Sequence, residues 1–221
     1  MKIHQLVRAG HVLLIGLALL VLAGSAQAAF ITPSDLATGG WTRGDAGTTY
    51  QQWQPYPYAY GAPPVVSQNS AGTATVTATN PAAGTYPAGS GNLYSPAGAP
   101  SFVVSVPNFP SPSDQTTVLL QIKTGGSELD YSSVKINGQA ANDYQELSRV
   151  TVTTPFGPSS TVESMWVFNN VFAGDSFAVT FSSYQHNSLG TIEIDTNTVP
   201  EPGTALLVLA GLAGLAYQGR K

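Results

Sequence analysis

The chain has 221 residues, a net charge of −4 and no cysteine. Disulfides, thiolate metal sites and a lipid-modified N-terminal cysteine are therefore excluded, and an exported form must be stabilised by its own core. Between Ala29 and Val199, four basic residues (Arg43, Lys123, Lys135, Arg149) stand against eleven acidic ones, a net −7, and the absence of a basic cluster argues against nucleic acid or anionic lipid as a partner.

At the N-terminus, Lys2 and Arg8 precede an apolar run from Val12 to Leu22, followed by Ala23-Gly24-Ser25-Ala26-Gln27-Ala28. A charged start, an apolar stretch of this length and an A-x-A pattern at Ala26 and Ala28 predict a signal peptide over 1–28. Signal peptidase would leave Ala29 as the first residue of the mature chain. The alternative is an uncleaved N-terminal anchor.

The next segment holds the densest aromatic group, Trp41, Tyr50, Trp53, Tyr56, Tyr58 and Tyr60, with Gln51, Gln52, Gln54 and Asp45 close by. Flat aromatic faces can stack on sugar rings while amides and carboxylates hold the hydroxyls. Trp41, Trp53, Tyr56, Tyr58 and Tyr60 are accordingly candidates for a shallow polysaccharide-binding face. The competing reading makes the tryptophans core residues and the tyrosines packing for a proline-rich loop, since buried aromatics contribute large apolar areas. Arg43-Gly44-Asp45 spells an integrin-type tripeptide, but a turn bearing an ion pair accounts for it more simply. From about 55 to 98 the chain is rich in Pro, Gly, Ala, Ser, Thr and Asn, which predicts long loops.

Beyond and within these loops lie short segments of alternating apolar residues. Strands are predicted at Thr73 to Thr79, Ser101 to Val106, Thr116 to Lys123, Ser132 to Ile136, Leu147 to Thr153, Val162 to Phe168, Ser176 to Ser182 and Thr191 to Asp195. Asn137-Gly138 signals a tight turn, and Ala173-Gly174-Asp175 is expected to turn the chain before Phe177. No 3.6-residue period is sustained between Ala29 and Val199. The expected fold over 29–198 is therefore all-β, an antiparallel β-sandwich of the jelly-roll or galactose-binding-like kind.

His186 is the sole histidine after the signal peptide, so any catalytic triad would have to use it. A structural histidine in the loop before the last strand is the simpler expectation. Glycosidase chemistry needs two carboxylates, and Glu128/Asp130, Asp143/Glu146 and Glu193/Asp195 are neighbours in sequence. Glu193 and Asp195 alternate with Ile192 and Ile194, so both are expected to face solvent. No cofactor is implied. Calcium is conceivable among Asp side chains and loop carbonyls, although no acidic loop shows a ligand spacing, and a zinc site without Cys or a second His would be unusual.

The last 23 residues divide into three parts: Val199-Pro200-Glu201-Pro202, an apolar stretch over 204–217, and Arg220-Lys221. As a helix, the 14-residue apolar stretch would reach about 21 Å, against roughly 30 Å of bilayer hydrocarbon. That suits transient rather than permanent anchoring, with the basic pair on the cytoplasmic side. The two prolines hold the preceding backbone extended and present Glu201 on a stalk. In this order of parts the chain resembles bacterial PEP-CTERM proteins, and the segment Trp41 to Trp53 also looks like the opening of their extracellular domains.

That resemblance implies export by the Sec route, recognition of the tail by an exosortase in the membrane, and cleavage near Val199-Pro200-Glu201-Pro202. It further implies a polysaccharide-producing Gram-negative bacterium and a non-enzymatic structural or adhesive role in exopolysaccharide or biofilm. A carbohydrate-binding protein is the alternative, and a polysaccharide-active enzyme comes third.

Overall fold

The described residues form thirteen strands: β1 (Thr48–Trp53), β2 (Val66–Gln68), β3 (Thr75–Ala78), β4 (Tyr86–Pro87), β5 (Leu93–Tyr94), β6 (Ser101–Pro107), β7 (Asp114–Gly126), β8 (Leu129–Ile136), β9 (Gln139–Ala140), β10 (Asp143–Thr154), β11 (Gly157–Phe172), β12 (Ser176–Ser183) and β13 (Asn187–Pro200). The computed structural model describes residues 30–37, 39–109, 114–155, 157–172, 174 and 176–200, together with 207, 209, 210 and 212. Every pairing between these strands is antiparallel.

The larger sheet runs β10-β11-β7-β13-β1-β2, and the smaller runs β3-β6-β12-β8-β9. β13 is the spine of the larger sheet. One side pairs with β7 along its length, and the other pairs first with β5 and then with β1. The inward side chains of both sheets meet in one apolar core. Trp53, Leu120, Ile122, Trp166, Phe168, Ile192 and Ile194 come from the larger sheet, and Phe102, Val104, Ile136, Phe177, Val179 and Phe181 from the smaller. Burying such side chains contributes roughly 1.5–3 kcal/mol each before the entropy of ordering them is counted.

All eight predicted strands are present, most of them longer than the periodic signal that marked them. β7 and β13 grow because each has a partner on both sides, which satisfies backbone groups beyond the alternating core positions. Asn137 and Gly138 both have positive φ, 48° and 83°, and close the two-residue turn between β8 and β9. The loop-rich stretch over 55–98 carries β2, β4 and β5 in addition to the expected β3. Tertiary pairing made these strands, since none is long enough to announce itself by alternation.

The N-terminal arm lies across the outer face of the larger sheet. Gln121 on β7 binds the backbone of Ile31 twice, accepting from its N–H and donating to its carbonyl, both at 2.9 Å. Ile31, Leu36 and Trp41 pack on Leu119, Leu147, Met165 and Val167 in a second, smaller apolar cluster. The arm then enters β1 through Gly47, which has φ +80° and whose added Cβ would sit 2.5 Å from the Thr198 carbonyl oxygen. Only glycine permits that approach.

The expected signal peptide over 1–28, with Ala26, Ala28 and Ala29, lies outside the described residues, as do Glu201, Pro202, Arg220 and Lys221. Within the expected C-terminal helix, Leu207, Leu209, Ala210 and Leu212 have helical backbone and are exposed. Among the described residues no helix is long and apolar enough to cross a membrane.

Candidate functional site

The expectation that Glu193 and Asp195 face solvent is overturned by the arm. They do point away from Ile192 and Ile194, but Asp195 is fully buried and Glu193 nearly so. Arg43 covers them. Its Nε donates to Asp195 Oδ1 at 2.5 Å, and its Nη2 donates to Asp195 Oδ2 at 2.7 Å and to Glu193 Oε2 at 2.9 Å. The flat face of the guanidinium lies on Tyr50, 3.6 Å from the ring centroid, a geometry that ammonium could not reproduce. Arg43-Gly44-Asp45 is thus a turn bearing an ion pair, although the partner of Arg43 is Asp195, 152 positions away, and not Asp45.

Burial pushes the Asp195 carboxyl up to about 6, against the opposing pull of Arg43. Burial also opposes the charge on Arg43, but its hydrogen bonds to Asp195 and Glu193 outweigh that and raise its pKa. The unfolded chain releases the Asp195 proton near the ordinary 3.8, whereas the folded chain keeps it to about 6. The group's contribution to stability is therefore whole below the lower value and is lost as pH rises through the upper one. Carbon-13 NMR of the carboxylates should show Asp195 titrating well above the other aspartates. An ordinary titration near pH 4 would refute this assignment, and Asp195→Asn should flatten the stability slope between those two values.

The five aromatic residues expected to form one binding face do not assemble. Trp53 and Tyr56 are buried in the main core, at 0% and 3% exposure, and Trp41 lies in the outer cluster at 7%. Their polar atoms look inward: Trp53 Nε1 donates to the Ala62 carbonyl at 3.0 Å, and the Tyr56 hydroxyl donates to the Gly190 carbonyl at 2.7 Å. Tyr58 and Tyr60 alone are exposed. Of the companion amides, Gln51 is fully buried.

Arginine holds both members of the Glu193/Asp195 pair but only Glu128 and Glu146 of the other two. Arg149 binds Glu128 and Glu146 together, donating from Nε to Glu146 Oε1 at 2.9 Å and from Nη2 to Glu146 Oε2 at 2.7 Å and Glu128 Oε2 at 3.1 Å. The Tyr131 hydroxyl also donates to Glu128 Oε2, at 2.6 Å. These bonds, led by Arg149, lower the pKa of both glutamates. Neither is therefore poised to donate a proton at neutral pH. Asp130 accepts from the backbone and hydroxyl of Ser132. Among the described residues no group of three or more His, Cys, Asp or Glu is placed to hold a metal ion.

A different set of residues lines a larger cleft. A cleft of about 1020 Å³ runs between the end of β7, the turn joining β10 to β11, and the start of β13. An adjoining recess of about 740 Å³ shares Gly126, Ser127 and Pro158 with it and extends past Glu128, Asp130 and Tyr184. Tyr94 and His186 form one wall of the larger cleft. The Tyr94 hydroxyl lies 3.1 Å from His186 Nδ1, and the rings are inclined at only 27° with centroids 6.4 Å apart. A hydroxyl-to-nitrogen contact of that kind sets the rings end to end rather than face to face. Sequence reasoning missed this pair because Tyr94 and His186 are 92 positions apart and neither sits in an aromatic-rich stretch.

The chain's other distinctive feature is how far β13 runs toward the C-terminus. Val199 and Pro200 still pair with Gln115 and Asp114 on β7. Just before them, the Thr198 N–H donates to the Gly47 carbonyl at 2.9 Å, and the Thr198 hydroxyl joins a buried group with Thr116 and Asn108. Val199 and Pro200 thus belong to the last strand, not to a free stalk, because the sheet offers them a partner. Residues 198–221 match the family model of the PEP-CTERM protein-sorting motif. The chain carries a PEP-CTERM sorting signal. That signal marks it as an exported protein processed at the membrane by an exosortase. No curated protein and no solved structure matches the chain. The PEP-CTERM motif therefore follows the folded body without a linker, starting inside its central strand.

Proposed function

We infer that this protein is a non-enzymatic component of the cell surface or extracellular matrix, released to its place by removal of the PEP-CTERM tail. It serves a structural or adhesive part in exopolysaccharide or biofilm. The observation that carries this reading is the continuity of the central strand β13 with the sorting motif at 198–221. Cutting after the strand removes the apolar tail and leaves the two-sheet body whole. The body is held by one large apolar core and contains no cysteine, so its folding does not depend on the redox state of the compartment it enters. The engagement of Glu128, Glu146, Glu193 and Asp195 with arginines supports a non-enzymatic role.

Intact-mass analysis of the protein recovered from its native host provides the test. The expected species begins at Ala29, ends among Val199 to Pro202 and lacks the apolar stretch over 204–217, with any extra mass reporting a surface attachment. A mature form that still carries the tail would overturn the reading.

A further inference from the structure

We propose that the cleft walled by Tyr94 and His186 binds a neutral, hydroxyl-rich polysaccharide chain. The first support is the shape of the wall. Two rings inclined at 27° and linked through the Tyr94 hydroxyl and His186 Nδ1 make a partly exposed aromatic surface. Such a surface matches the apolar face of a pyranose ring while its edges remain polar. Tyr86 stands perpendicular to Tyr94, with centroids 6.0 Å apart and planes at 89°, and so buttresses that ring. Edge-to-face contact of this kind is the favoured arrangement of an aromatic pair.

The second support is that the wall is pre-formed. His186 sits in the turn between β12 and β13 with φ +67°, a conformation that Gly or Asn adopts more readily. Hydrogen bonds hold that turn in place. His186 N–H donates to the Ser95 carbonyl at 2.9 Å, and Ser95 N–H donates to the Asn187 carbonyl at 3.1 Å. On its other side the His186 carbonyl oxygen approaches Gly126 so closely that an added Cβ there would lie 2.6 Å away. Asn187 Nδ2 donates to the Ser127 carbonyl at 2.5 Å, fixing the neighbouring strip of the cleft. A backbone held in this way, with the ring tied to the Tyr94 hydroxyl, loses little freedom when a ligand arrives.

The third support is the polar lining. Ser127, Ser159, Thr161 and Ser188 are among the residues that line the larger cleft. The adjoining recess is bordered by Glu128 and Asp130, and among the described residues no lysine or arginine lines either space. Hydroxyls and carboxylates suit the hydroxyls of a neutral sugar; Glu128 is neutralised by Arg149, so repulsion of uronate or sulfate groups falls to Asp130. Each space reaches the size of an ordinary small-molecule site. Together they accommodate several sugar units of a chain rather than one monosaccharide.

The choice of polysaccharide as ligand rests on the matrix role, so processing and binding must be read separately. The test is affinity electrophoresis of the full chain, kept soluble in mild detergent, through gels containing neutral glucan, mannan or galactan, or a uronic-acid polymer. Retardation is expected in at least one neutral gel and not in the uronate gel. His186→Asn keeps a residue that tolerates the turn and should weaken retardation at least tenfold with an unchanged thermal midpoint. Tyr58→Ala, outside the cleft, should leave it unchanged. Retardation by uronate alone, none in any gel, or full retardation of His186→Asn would each overturn the proposal. A tail-processed protein that fails to bind sinks only this inference, whereas a binding protein never processed in its host sinks only the matrix reading.

Discussion

Replacing Arg43 with Gln is expected to destabilise the folded chain by about 3–5 kcal/mol, because it leaves the buried Asp195 carboxylate without its partner. Asp195 has no exposed side-chain surface, whereas Arg43 retains 26%, so the desolvation falls mainly on the acid. Without the guanidinium, Asp195 must take up a proton or draw in water, and Glu193 and Tyr50 lose a contact as well. Urea titration of the two proteins at neutral pH measures the difference. Adding Asp195→Asn to the Arg43→Gln chain should recover most of the loss, since the uncompensated charge is then gone. A single-variant loss below about 1 kcal/mol would place the pair among solvated surface bridges and remove the arm's electrostatic tie to the sheet.

Trp53→Ala is the second large effect, at roughly 3–5 kcal/mol. The side chain is fully buried among residues of both sheets, and its indole N–H is satisfied by the Ala62 carbonyl at 3.0 Å. Truncation removes apolar contacts, opens a cavity and strands that carbonyl. For a body of this size the thermal midpoint should fall by roughly 10 °C. Calorimetry also separates this residue from a ligand-binding role. Trp53→Phe keeps most of the packing and should bind any polysaccharide as the parent does, whereas a selective loss of binding with unchanged stability would return Trp53 to the binding surface.

The contrast between Trp53 and His186 shows what a single sequence makes legible. Aromatic density from Trp41 to Tyr60 was visible, but density does not say which face of a strand a ring occupies. β1 was hidden because Thr48 to Trp53 is buried at nearly every position and so lacks the alternation that marked its neighbours. Its outer face is roofed by the arm, through Arg43 over Tyr50. The same roof defeated the inference for Glu193 and Asp195. Alternation with Ile192 and Ile194 correctly put the acids on the opposite face, but it carries no information about what covers that face.

Residue chemistry along the chain determined the all-β class, eight of the thirteen described strands, the Asn137-Gly138 turn and the sorting motif, because each depends on neighbours within a few positions. Local spacing suffices for period-two burial, for a left-handed turn and for a motif read as a linear string. The tertiary structure decided the burial of Asp195 beneath Arg43, the pairing of Tyr94 with His186, and the continuation of β13 into Val199 and Pro200. Each of these joins segments some 80 to 150 positions apart. No local pattern encodes such a meeting, since it exists only once the two sheets have closed on their shared core.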